Sequence, residues 1–444
     1  VVINKQNYRQ LPEIIEYYYN MGIREFDLLH IIPFGRGFDE HRHSLFFDLN
    51  DAVPYFRRAF EWANKPGVYL WTNRLPVPYL EDFERLIQDP HKLFYEFDGG
   101  RHNFEGFLKR GLKPDCYGER CDYCFLDGAC RTTMFPYREH NEARTYPVVR
   151  LDSQHVWPGS EARRVFEEQK PQRLWLSARD VDDATRTLAE MPFEDAEVTI
   201  QLDAGADAKP LEQVERVSRV VVDNVEDAQR LLVGAKRLAA PMQVEVLLDQ
   251  PLAAWLLARS STLRAWGDRL ILTLRNHEYL SGSQETDPTP ETLRRLADSG
   301  VQIKNVPKCV AGKDVLSHDH NLLDASMLDG AGDLDLDGYV HHFITHEYYA
   351  KSLRCNRCAE KDRCKGLHVN YLRNHGFKIL APLDADGKQL ADSHSFERVT
   401  ELLKEAHDAQ PKRSRKKLIG MHKPADAVKV SVGSMSISGD ANPR

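Results

Sequence analysis

The sequence predicts an α/β chain: a segment of partial (β/α) barrel, then a second parallel α/β unit, each followed by a small four-cysteine module. Three observations lead there. Short β-branched runs alternate with stretches of helical period, as in parallel sheets whose strands are joined by helices. The connections between them are short. The eight cysteines fall into two groups of four, and each group contains C-x2-C-x5-C.

The first α/β segment spans residues 1–112. Val1 to Ile3 is a β-branched run. Tyr8 to Met21 has helical period, with Leu11, Ile14, Ile15 and Tyr18 on one face. Gly22 stands at the position after that helix, where a positive φ is cheap for glycine. Glu25 to Pro33 reads as an apolar strand closed by Phe34-Gly35-Arg36-Gly37. Asn50 or Asp51 can cap a helix through Ala63, and Val68 to Thr72 is a third strand. The strand ends carry Asn4, Lys5, His30, Arg36, Asn73 and Arg74. In parallel sheets ligands bind at the carboxyl ends of strands, although loop residues are polar by default. Residues 79–112 read as connecting helices.

The first cysteine module, 113–150, holds Cys116, Cys121, Cys124 and Cys130. The second α/β unit, 151–306, has six strand-like runs: Leu174–Leu176, Val198–Ile200, Val220–Val222, Val244–Val246, Leu270–Leu272 and Val301–Ile303. Helical stretches such as Val225–Leu238 and Pro290–Ala297 lie between them. No GxGxxG or GxxxxGK[ST] loop is present. Asp203, Asp223 and Asp249 follow strands, and capping of the next helix explains them as well as catalysis does.

The second module, 307–383, holds Cys309, Cys355, Cys358 and Cys364. Its His318–Gly338 stretch reads as a surface loop, and His368–Leu383 as a helix, a turn at Gly376 and a final strand. Residues 384–444 read as a polar tail. One helix is expected there over Phe396–His407, with a solvated basic run at Lys412–Lys417.

Composition narrows the function. The net charge of −7 gives no basic footprint for nucleic acid. No apolar stretch approaches the ~20 residues a membrane span needs, and a cytoplasmic protein is expected. Clustered cysteines in such a chain point to metal or cluster ligation rather than disulfides. Four thiolates suit zinc, [2Fe–2S] or [4Fe–4S], and spacing does not choose among them. Met134 and His368 each stand four positions after the last cysteine of a group. His368 is read as an ordinary helix residue.

Particular stretches carry a family resemblance. VVINKQNYRQLPEIIEYYYNMGI, REFDLLHIIPFG and VYLWTNRLP resemble the last three strands of the radical SAM partial barrel. YAKSLRCNRCAEKDRCKGLHVNYLRNHGFKILAPL looks like the auxiliary-cluster module that follows that barrel. Asn305-Val306-Pro307-Lys308-Cys309 resembles its upstream ligand. Cys116 to Cys130 looks like a shorter, SPASM- or twitch-type copy. The matched parts cover roughly a third of the chain.

The resemblance implies two fully ligated auxiliary [4Fe–4S] clusters. It implies S-adenosyl-L-methionine (SAM) near Asn4, Lys5, Ile32 and Pro33, an electron donor, and a substrate that by analogy is a peptide. In the family a SAM-binding cluster yields a 5′-deoxyadenosyl radical that abstracts a substrate hydrogen. The C-x3-C-x2-C that holds that cluster does not occur here. Cys116-x4-Cys121-x2-Cys124 is one residue too long and follows the strands it should precede. The chain opens on Val1 in mid-strand, so the motif is expected upstream, and the present chain alone is expected not to cleave SAM. Two readings compete: a non-catalytic α/β protein with two structural zinc sites, and an iron–sulfur electron-transfer or scaffold protein.

Overall fold

The computed structural model describes residues 1–390 apart from 155–158, 235–236 and 320. The expected helix at 396–407 and the basic run at 412–417 lie outside the described residues. The described residues belong to one compact unit, Val1–Phe396.

The first sheet has three parallel strands in sequence order, β1 (Val2–Ile3), β2 (Glu25–His30) and β3 (Tyr69–Asn73). Ile3 stands opposite His30, and Leu29 opposite Asn73. The helix Leu11–Asn20 starts with Pro12 in its first turn and buries Leu11 and Ile15. Tyr18, expected on that face, is 44% exposed. Gly22 follows with φ +99°. The second connecting helix is Leu49–Phe60, and its cap is Asp48, whose carboxylate accepts from the Asn50 amide at 2.8 Å. The cap therefore lies two residues before Asn50 and three before Asp51, the two expected.

The second sheet has eight parallel strands and curls into a half-barrel. In chain order they are β4 (Val148–Asp152), β5 (Arg173–Ala178), β6 (Glu197–Leu202), β7 (Val217–Val222), β8 (Gln243–Leu248), β9 (Leu270–Leu274), β10 (Gln302–Lys304) and β11 (Leu322–Asp324). Strands β4 to β10 lie side by side in sequence order, and β11 adds outside β4. One face is apolar: Val198, Ile200, Val220, Val222, Val244, Val246, Leu270 and Leu272 are buried. Helices such as Val225–Leu232 and Pro290–Asp298 each bury one stripe. The opposite face carries Trp175, Gln201, Glu245, Thr273 and Lys304, which line one cavity.

Two of these strands escaped the sequence. β4 crosses the 150/151 boundary drawn between modules, because Arg150 interrupts its apolar run. β11 lies inside the stretch read as a surface loop. It offers only two apolar residues, and pairing with β4 buries Leu323 completely. The same stretch also begins the helix Leu336–His342, capped by Asp335.

The expected final strand after Gly376 is a 3₁₀ turn, Phe377–Ile379. Both backbone groups of Phe377 are occupied by side chains. Its N–H donates to Glu84 at 2.9 Å, and its carbonyl accepts from Arg354 at 3.0 Å. Nothing remains at Phe377 for a ladder. A small hairpin, β12 (Tyr349–Ala350) antiparallel to β13 (Leu367–His368), closes the region.

Candidate functional site

The second cysteine group meets at one cavity of about 390 Å3, lined by Cys309, Cys355, Cys358 and Cys364. Cys309 sits on a single helical turn, Lys308–Ala311, just beyond the carboxyl end of β10. The other three lie between β12 and β13: Cys355 on a 3₁₀ turn, Leu353–Arg357, and Cys358 and Cys364 after it. Ser352 caps that turn by accepting from the Arg354 amide at 3.1 Å. Gly366 returns the chain to β13 with φ +89°, so close to the Ala350 carbonyl that a Cβ would stand 1.9 Å from its oxygen. Only glycine fits there.

Backbone N–H groups point at the sulfurs. Gly366 donates to Cys364 Sγ and Leu383 to Cys358 Sγ, each at 3.3 Å. Burial pushes the Cys355 thiol up to about 12 and the Cys309 thiol up to about 11. Metal binding there must displace protons. Lys308, Lys351, Lys361 and Arg363 stand round the rim.

The first group converges as well. Cys116, Cys121, Cys124 and Cys130 line a cavity of about 30 Å3 with Pro33, Phe34 and Phe135. Gly118, at φ +127°, opens the 3₁₀ turn Glu119–Tyr123, and Cys130 opens a π-helical turn, Cys130–Met134. Burial pushes Cys124 up to about 12 and Cys130 well above the usual thiol range. Met134 is fully buried in the core. His368 caps the helix Val369–His375: its Nδ1 accepts from the Asn370 amide at 3.4 Å, and its Nε2–H donates to the Ile344 carbonyl at 2.9 Å. Both ring nitrogens are thereby used.

All eight cysteines are free thiols. Four thiols per group, with backbone donors on Cys358 and Cys364 of the second, are a donor set that fits an all-cysteine cluster. Among the described residues, no three His, Cys, Asp or Glu side chains stand so as to hold a single metal ion. The two cavities differ in room, and the second is much the larger.

The residues expected near SAM occupy the carboxyl edge of the first sheet. Asn4 and Lys5 follow β1, and Ile32 and Pro33 follow its neighbour β2. The Asn4 side chain accepts from the Gln6 amide at 2.9 Å, and Lys5 Nζ donates to the His43 carbonyl at 2.8 Å. The Ile32 carbonyl accepts from the Phe34 amide at 2.9 Å. Pro33 lines the first cysteine cavity.

A third site was missed in the sequence. The polar face of the half-barrel encloses a cavity of about 300 Å3. Its floor is a charged network. Glu245, 1% exposed, pairs with Arg219 at 2.9 Å and Lys304 at 3.5 Å and accepts from Thr273 at 2.7 Å. Lys304 also pairs with Asp319 at 2.5 Å, and Arg173 with the same carboxylate. Burial raises the Asp319 pKa, but Lys304 and Arg173 outweigh it and hold the carboxyl below its usual range.

One wall is a π-helical turn, Phe343–Glu347, which places His346 and Glu347 on the cavity, beside His342 from the preceding helix. Burial pushes His342 down to about 3, so its imidazole is neutral. Burial raises Glu347 against the pull of Lys365, 2.5 Å away. The signal for this site was present in the sequence. Glu245 interrupts Val244-Glu245-Val246, and Lys304 ends Val-Gln-Ile-Lys, at positions where a strand buried on both faces would be apolar.

The fold and sites together define an α/β protein with two groups of four cysteines, each lining a cavity, and one polar half-barrel cavity. Comparison of the chain with family models, curated proteins and solved structures returns no match. Among the described residues, no helix is long and apolar enough to cross a membrane.

Proposed function

We propose that this chain is the auxiliary-cluster-bearing part of a radical SAM-type enzyme acting on a substrate of unknown class, by analogy a peptide. One observation carries the reading. The second set of four thiols, drawn from segments as far apart as Cys309 and Cys364, meets at one cavity beyond the carboxyl end of a parallel sheet. A [4Fe–4S] group bound there supplies one-electron chemistry. The chain's own part is to hold it: four thiolates ligate, the amides of Gly366 and Leu383 donate to sulfur, and Lys351 lies on the same cavity, where Lys308 and Arg363 are paired with Asp314 and Glu360. The first group is read in the same way, in a tighter space. SAM contacts at Asn4, Lys5, Ile32 and Pro33 belong to this reading. A cytoplasmic location and an electron-donor partner go with it.

Anaerobic purification tests it. Two four-iron clusters give a brown protein with about eight irons and matching sulfide. Cys355→Ser with Cys358→Ser should remove about half of that iron. A colourless protein that carries zinc instead supports the structural-zinc alternative and overturns the cluster reading. Without C-x3-C-x2-C, the chain by itself should not cleave SAM, and cleavage by it would contradict the assignment of both groups as auxiliary.

A further inference from the structure

We infer that the half-barrel cavity binds a free α-amino acid by its zwitterionic head, with Arg275 and Asp223 as the two charged anchors. The inference goes beyond the cluster reading and uses none of the cysteines. It starts from the hydrogen-bonding capacity the cavity leaves unspent.

Most charges in the cavity are already paired across the strands, as the Glu245–Lys304–Asp319 network is. Two are not. Arg275 follows β9 directly, and Asp223 follows β7 directly, so both stand at carboxyl ends of strands. Arg275 donates through Nη2 to the Asp223 backbone carbonyl at 3.0 Å, and its buried Nε has no partner. Among the described residues, no carboxylate lies within ion-pair distance of Arg275. The Asp223 carboxylate accepts only from neutral amides, Asn224 at 3.1 Å and Gln201 at 3.5 Å. Capping does not occupy it, because Asn224 caps the following helix.

Two further buried atoms on the same cavity lack partners: Trp175 Nε1 and Gln201 Oε1. A buried polar atom without a partner costs free energy. Three such atoms, Arg275 Nε, Trp175 Nε1 and Gln201 Oε1, together with an Asp223 carboxylate that has no cationic partner, converge on one cavity and describe what is missing. It must accept from Arg275 and Trp175, and donate to Asp223 and Gln201. An α-carboxylate beside an α-ammonium meets both demands. Inorganic phosphate or a dicarboxylate meets only the first, and a simple amine only the second. A cavity of about 300 Å3 has room for one amino acid.

The test uses the whole chain and each of the twenty free L-amino acids as probes, by thermal shift and titration calorimetry. At least one should bind saturably. Its N-acetyl derivative, its primary amide and inorganic phosphate should each bind at least about tenfold more weakly. Asp223→Asn should weaken the free amino acid by a similar factor and leave its N-acetyl derivative unaffected, and Arg275→Gln should weaken both. Circular dichroism establishes that the variants fold. If they do not, the comparison of ligand analogues on the unaltered chain decides. The proposal fails if no amino acid binds. It fails if phosphate or the N-acetyl derivative binds equally well, or if folded variants bind unchanged. Iron and sulfide content reports separately on the cysteine sites, so either reading can fall alone.

Discussion

Removing Glu81 should be among the most damaging single changes in the chain. Its carboxylate is 3% exposed and joins two distant parts of the fold. Arg354 Nε pairs with it at 2.8 Å and Ser352 Oγ donates to it at 2.5 Å, both from the segment that leads into Cys355. The Arg354 side chain is 7% exposed and also holds the Phe377 carbonyl. Glu81→Gln leaves that guanidinium buried beside a neutral amide. Removing one partner of a buried ion pair costs up to about 3–5 kcal/mol, and less where the other partner keeps further contacts. Replacing both partners is far milder, so Glu81→Gln with Arg354→Met should lose at least about 1.5 kcal/mol less than the sum of the two single variants. Urea unfolding of the four proteins, followed by circular dichroism, measures the cycle. A single-variant loss below about 1 kcal/mol, or a double variant equal to the sum within about 0.5 kcal/mol, refutes the argument.

Other outcomes follow from burial and close packing elsewhere in the chain. Burial lowers His30 and His368 to about 4 and His342 to about 3. The unfolded chain protonates them near pH 6.5, so their contribution is whole above about 6.5 and is lost as pH falls toward the folded values. Between pH 6.5 and 5 each should remove about 2 kcal/mol, and a urea midpoint unchanged between pH 7 and 5 would rule this out. Gly366→Ala forces a Cβ against the Ala350 carbonyl at a positive φ. It should lower the melting temperature and, on the proposed cluster reading, cost the second cysteine site its iron but not the first; unchanged melting and iron content would mean that the hairpin tolerates the change.

The architecture was legible where single elements carried their own signal. β5 to β10 were readable because each carries a compact apolar run, with helix-compatible stretches between several of them. The glycine stop at Gly22 and the helix near Pro290 were readable for the same local reasons. Elements that exist only through partners were not. Leu322–Asp324 is a strand because β4 has an open edge, not because three residues specify one. The turn at Phe377 replaces a strand because Arg354 and Glu84, both remote in sequence, take its backbone groups. The grouping of three cysteines in each set was legible from C-x2-C-x5-C, whereas Cys309, far upstream of Cys355, was placed with its set by resemblance. The half-barrel cavity left only the charges of Glu245 and Lys304 as its signal, since the rest of its lining comes one or two residues at a time from separate strands, loops and a π-helical turn. Asp203, Asp223 and Asp249 show how fine the distinction is. All three follow strands, yet only Asp249 caps a helix, accepting from the Leu252 amide at 2.8 Å.

The way the half-barrel's rim is fastened has a consequence during synthesis. One stretch serves both open edges: Leu316 bridges to Lys304 beside β10, and Leu322 pairs with Val148 on β4. β4 leaves the ribosome first, yet its outer partner comes last. At ~5–20 residues per second, that edge waits on the order of ten to thirty seconds before it is covered. An unpaired edge is a template for another chain. A nascent chain arrested short of Leu322 should therefore associate with its neighbours, whereas one extended past Asp324 should not, which sedimentation of stalled polysomes can read.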